Sequence, residues 1–167
     1  KGEYNFILNP DTVIEESAIS TFVNYLEKDH GVGMVGPKIV NSDGSLQKGS
    51  KRSFPTISVA FPKLLGFDKI FPRSKWAGRY NLNFLNPDEI NKVDAISGSC
   101  MFIRAELFNK IGGFDEQFFM FGEDLDLCYQ VHQLGFEVHY LPTTQIMHYQ
   151  GESVKSAPYD SLNAFYQ

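Results

Sequence analysis

Two adjacent carboxylates, Glu123 and Asp124, follow the aromatic run Phe118-Phe119-Met120-Phe121-Gly122 and open a segment whose apolar residues recur with helical spacing. Leu125, Cys128, Val131, His132 and Leu134 form the stripe that this spacing turns inward, which puts the acid pair in the first turn of a helix. Two readings follow. A first-turn acid gains about 0.3–1 kcal/mol from the helix macrodipole, so the pair can simply decorate a helix start. Delivered from an aromatic loop into a cleft, the same pair can take a proton from a substrate hydroxyl.

A second candidate lies near the N-terminus, where Asn9-Pro10-Asp11 follows the short apolar strand expected from Tyr4 to Leu8. Ligands of open α/β sheets bind beyond the carboxyl ends of strands, and one carboxylate with an amide neighbour is enough for a partly open divalent-cation site. The alternative is that Asp11 or Thr12 is only the cap of a helix expected from about Val13 to Lys28. Leu85-Asn86-Pro87-Asp88 repeats the tetrapeptide Leu8-Asn9-Pro10-Asp11 in a polar setting and reads as a turn. His148, ahead of the polar stretch Gly151, Glu152 and Ser153, is either a metal or phosphate ligand or a structural histidine. His30, His132 and His139 read as loop, helix-face and strand residues.

These residues need elements to place them. After the first strand and helix, Gly31 to Val40 is an apolar, glycine-rich strand, and Asn41-Ser42-Asp43-Gly44 signals a turn. An irregular stretch runs to about Lys92. Val93 to Arg104 then reads as a strand broken at Gly98, Ala105 to Ile111 as a short helix, and Gly112-Gly113 as its stop. The acid-pair helix leads to a last strand, Phe136 to Leu141. Strands alternating with helices predict a mixed α/β sheet in one domain spanning residues 1–167, large enough at 43% hydrophobic residues to bury a core.

Charge and cysteine content exclude several classes. A net charge of −5 argues against nucleic acid as a partner. Cys100 and Cys128 show neither a disulfide framework nor zinc spacing. No apolar run reaches the length of a bilayer span, and the first residues lack the basic and apolar parts of a leader, so a cytoplasmic setting is expected. The charge is uneven: Lys48, Lys51, Arg52, Lys63, Lys69, Arg73, Lys75 and Arg79 face a single acid, Asp68, within a stretch also carrying Phe54, Phe61, Phe67, Phe71 and Trp76. Residues from about 48 to 92 thus form a basic, aromatic insertion, with Pro55, Pro62 and Pro72 interrupting any long helix.

The motifs L-N-P-D-T, V-G-P-K-I-V-N-S-D-G-S-L-Q, V-D-A-I-S-G-S-C-M-F-I-R, G-G-F-D-E-Q-F-F-M-F-G-E-D-L-D-L-C-Y-Q and H-Y-Q-G-E-S occur in this order. Their order resembles that of the family 2 glycosyltransferases, in particular the bacterial rhamnosyltransferase-like branch, from Gly2 to about Ser153 apart from the insertion. The resemblance implies a GT-A fold, a mixed sheet flanked by helices that binds nucleotide-diphospho-sugars. It implies inverting transfer, possible for rhamnose among other sugars, from such a donor to a saccharide or lipid-linked saccharide. Asp124 would be the general base and Glu123 would orient acceptor or base; Asp94, Gly98 and Ser99 would be substrate-binding. Asp11, Asn9 and His148 would hold Mg²⁺ or Mn²⁺ against the diphosphate. Asn9 stands where the family usually has an acid, which puts its own contact with the metal in question.

The family begins with strand-helix units that bind the nucleotide, whereas Asp11 lies close to the start of this sequence. The expectation is therefore a partial GT-A fold lacking those N-terminal strands, inactive alone, with an open sheet edge that invites a homodimer. The basic insertion points to peripheral contact with the inner face of a membrane, against the alternative of a solvated loop. A non-catalytic saccharide-binding or assembly module of the same fold is the rival of another class. A phosphohydrolase would need more acids or histidines clustered near Asp11.

Overall fold

The computed structural model describes residues 2–118 and 122–149. The strands β1 (Tyr4–Leu8), β2 (Thr12–Ile14) and β3 (Val32–Val40) surround the helix α1 (Ala18–Lys28) in the chain. The insertion contributes β4 (Lys51–Arg52), α2 (Ile57–Leu64) and α3 (Phe67–Ile70). After it come β5 (Asn91–Val93), β6 (Ala95–Ile96), β7 (Cys100–Arg104), α4 (Ala105–Ile111), α5 (Glu123–Gln133) and β8 (Glu137–His148).

The main sheet has the order β1-β7-β3-β8-β2, with β5 also on β8. β3 and β8 are parallel, and the pairings of β1 with β7, β7 with β3, and β2 with β8 are antiparallel. It is the expected mixed sheet, and β1 forms one of its edges. Side chains alternate across it. Met34, Met101, Ile103 and Tyr140 pack on one face with Leu107 of α4 and Leu127, Cys128 and Val131 of α5. Val32, Val35, Ile39, Phe102 and Ile146 pack on the other with Ala18, Phe22 and Leu26 of α1. Helices thus cover both faces, as strands buried on two sides require.

Gly36 of β3 brings the site-bearing segment down onto the sheet, because a Cβ there would lie 2.8 Å from Cδ1 and 3.0 Å from Cβ of Ile96. β4 pairs with β6, and so ties the insertion to this segment.

Several expectations change. Thr12, Val13 and Ile14 do not begin the first helix; they pair with His148, Met147 and Ile146 as β2. Neither Asp11 nor Thr12 is a cap, since Ser17 occupies that position and the Thr12 hydroxyl donates to the Asn9 carbonyl oxygen at 2.7 Å. On α5, Leu127 rather than Leu125 is fully buried beside Cys128 and Val131, while His132 and Leu134 are half-buried. The insertion is not irregular throughout: it folds into two short helices, one with Pro62 inside it. The last strand runs on to His148, well past Leu141.

Other expectations hold. α4 has the expected bounds, and Gly112 and Gly113 end it at φ of 94° and 89°, where a side chain would be strained. The 41–44 turn closes through Gly44 N–H to Asn41 O at 2.9 Å. Asn86 to Asp88 is a turn, with Asp88 N–H donating to Asn86 Oδ1 at 3.1 Å. No helix among the described residues is long and apolar enough to cross a membrane.

Candidate active site

Because β1, β3 and β8 run in one direction, their carboxyl ends meet at one edge of the sheet, where β7 begins. Asn9 follows β1, Gln47 lies beyond the turn after β3, and His148 ends β8. Ser97-Gly98-Ser99 leads into β7 and is tied to the first strand by Asn9 N–H donating to Ser99 O at 3.0 Å. α5 enters from the side, with Glu123 and Asp124 in its first turn. Gly122, at φ of 96°, makes the turn that aims this helix end.

Asn9, Gln47, Lys48, Arg52, Ser97, Gly98, Ser99, Glu123, Asp124 and His148 line a common cavity of about 270 Å³. Asp124 is largely buried there, 9% exposed. Its Oδ2 accepts a hydrogen bond from Gly98 N–H at 2.9 Å and an ion-paired one from Arg52 Nη2. The glycine permits this approach, since a Cβ on Gly98 would lie 3.1 Å from Cβ and 3.4 Å from Oδ2 of Asp124. Arg52 Nη2 also donates to Ile96 O at 2.8 Å. Burial works against the Arg52 charge, but Asp124 and Tyr80 together outweigh it and hold the guanidinium above its ordinary pKa. Oε2 of Glu123 is buried with no hydrogen-bond partner among the described residues.

At the other side of the cavity, Nε2 of His148 lies 3.2 Å from Oδ1 of Asp11. Nδ1 of the same ring meets Gln47 Oε1 at 2.8 Å, and Gln47 Nε2 donates to Asn41 Oδ1 at 3.2 Å, which fixes the amide's orientation. An amide oxygen at Nδ1 calls for the tautomer with its proton there, leaving the Nε2 lone pair directed at a carboxylate oxygen. Two acceptors so close require a shared proton or a cation, and a ligand histidine oriented through its second nitrogen is the usual arrangement at metal centres. Asp11 and His148 could together hold a divalent ion. No group of three or more His, Cys, Asp or Glu capable of holding a metal occurs among the described residues.

The structure thus brings Asn9, Gly98, Ser99, Glu123, Asp124 and His148 to one cavity, with Asp11 reached through His148. Asp94 does not line it. Its Oδ2 accepts from Phe54 N–H at 3.1 Å and its carbonyl oxygen meets His132 Nε2 at 3.0 Å, so it holds the insertion against α5. Gly151, Glu152 and Ser153 lie outside the described residues. Arg52 and Gln47 were not foreseen. Arg52 was one of eight similar cations, and only the β4–β6 pairing, unreadable in a two-residue strand, singles it out.

The mixed sheet flanked by helices is a fold of the GT-A glycosyltransferase type. The same fold is found in a solved structure described as GalNAc-T7 with UDP, GalNAc and Mn²⁺. That match has 16% identity and a TM-score of 0.56, and covers 89% of this chain and 28% of that one. The model of glycosyltransferase like family 2 matches residues 2–162, and the chain belongs to that family. It is 28% identical over 165 residues to an N-acetylglucosaminyl-diphospho-decaprenol L-rhamnosyltransferase of Mycobacterium tuberculosis, covering 99% of this chain and 53% of that protein. It is 30% identical over 151 residues to the rhamnosyltransferase WbbL of Escherichia coli, covering 88% and 52%. The chain spans about half the length of these relatives.

Proposed function

We propose that the protein containing this chain is an inverting, metal-dependent glycosyltransferase that moves a sugar of the rhamnose class from a nucleoside-diphosphate donor to a saccharide or lipid-linked saccharide. One observation carries the reading: Asp124 shares a single cavity with His148, itself paired with Asp11, which supports a base and a cation acting in the same small space. The relatives named for rhamnosyl transfer support the donor class, and the one acting on a decaprenol diphosphate saccharide supports the acceptor class.

A divalent cation at Asp11 and His148 would neutralise charge on the departing diphosphate. Asp124 takes the acceptor hydroxyl's proton at Oδ1, because Oδ2 is committed to Gly98 and Arg52. Those two contacts hold the carboxylate in one orientation, as in-line attack on the anomeric carbon demands. Glu123 offers its unpartnered oxygen to the acceptor sugar and so orients the hydroxyl. Lys48, exposed at the cavity wall, adds positive charge where the diphosphate would lie.

The test is transfer by the complete protein from a panel of nucleotide sugars, read as nucleoside diphosphate released with and without a chelator. Asp124→Asn should lower turnover by about 10²–10⁴-fold while donor binding persists. Wild-type turnover in that variant, or no transfer from any donor despite measurable saccharide binding, would overturn the proposal; the latter would make the chain a binding module.

A further inference from the structure

The insertion's two short helices spend their apolar residues outward. In α2 only Val59 and Pro62 are buried, and α3 buries nothing. Ile57 is 88% exposed and Leu64 84%, and Phe61, Leu65, Ile70, Phe71 and Trp76 are each more than half exposed. Single exposed hydrophobics are ordinary, but seven within twenty consecutive residues need a covering surface. Lys63, Lys69, Arg73, Lys75 and Arg79 are exposed among them, and Asp68 is the one acid in that stretch. Lys51 and Arg52, by contrast, turn inward, Lys51 donating to Leu85 O and Arg52 holding Asp124.

We infer that this helical pair docks the protein on an anionic lipid bilayer. Protein interfaces are depleted of lysine at their apolar centres, whereas Trp, Phe, Ile and Leu interleaved with Lys and Arg match the boundary between acyl chains and anionic headgroups. Lysine and arginine stems lie along apolar surface while their charges reach the phosphates. The face also adjoins a groove beside α5. Thr56 belongs both to the hollow beside Ile57, Phe61 and Trp76 and to an apolar groove lined by Phe54, Leu125, Tyr129 and Gly122, the residue before the acid pair. The docking does not depend on the transfer reaction, and its test uses no sugar.

The test is co-sedimentation of the chain with vesicles of phosphatidylcholine mixed with phosphatidylglycerol, and with phosphatidylcholine alone, at low and high salt. Trp76, the sole tryptophan, reports insertion through a blue shift of its emission. Binding should require the anionic lipid, fall with salt, and drop roughly fivefold for each cation removed in Lys69→Gln and Lys75→Gln. Ile57→Ser with Leu64→Ser, at positions too exposed to support the core, should abolish the blue shift while leaving the far-ultraviolet circular dichroism unchanged. Absence of binding, equal binding to neutral vesicles, or binding indifferent to the apolar pair would overturn the inference. So would a concentration-dependent dimer dispersed by that pair, which would assign the face to a second copy of the chain.

Discussion

Arg52→Met tests whether the insertion is part of the site or merely beside it. The guanidinium and carboxylate side chains are 14% and 13% exposed, so the pair is nearly withdrawn from water. Arg52 Nη2 serves both Asp124 and the Ile96 carbonyl, and its loss leaves Asp124, among the described residues, with the Gly98 N–H bond at 2.9 Å. Removing one partner of a buried pair costs about 3–5 kcal/mol, and the retained amide bond and residual exposure lower this to roughly 2–4 kcal/mol. In a chain of this length each kcal/mol moves the thermal midpoint by about 2–4 °C, giving a drop of roughly 5–15 °C. The decisive measurement is a double-mutant cycle by urea unfolding. If the cost is an uncompensated charge, adding Asp124→Asn to Arg52→Met should restore about 1–3 kcal/mol, although Asp124→Asn alone destabilises. Equal unfolding midpoints for wild type and Arg52→Met would refute the reasoning. Strict additivity in the cycle would refute it as well.

Gly36→Ala should destabilise the chain by about 1–3 kcal/mol, because the new methyl meets Ile96, which is fully buried and braced by β4; a urea midpoint at or above that of wild type would show that β6 can yield. Burial pushes both cysteine thiols up to about 12, Cys128 on the buried face of α5 and Cys100 on β7 in the cluster that α1 covers. A thiol reagent at pH 8 should therefore label neither in the folded chain and both in urea, and rapid labelling without denaturant would contradict the packing.

Much of the site was legible because its residues lie at element ends with strong local signals. The acid pair stands between a glycine that turns the chain and a helical apolar stripe, and Asn9-Pro10-Asp11 breaks an apolar strand; each pattern needs only its own neighbours to be read. The face of α5 was less legible. Leu125 was read into the inward stripe, but Leu127, about 200° away around the helix, is the fully buried one and Leu125 lies at the edge of the core, a choice made by the helix's rotation over the sheet. Nor did local pattern show that Asp94 accepts from the Phe54 amide, forty residues earlier in the chain.

The sequence by itself determined the alternation of strands and helices, the bounds of α4 with its glycine stop, the two Asn-containing turns, and the position of the carboxylates at a helix start. Periodicity and turn chemistry act over a few residues, so these features required no distant partner. Tertiary structure alone decided the fate of Thr12-Val13-Ile14, since a β-branched triplet can open a helix or form a strand, and pairing with residues 146–148 selected the strand. It decided, too, that Arg52 and Gln47 join the site. Each is placed by a partner far along the chain, Arg52 by β6 and Asp124 and Gln47 by His148, and such long-range pairing leaves no trace in the spacing of neighbouring residues.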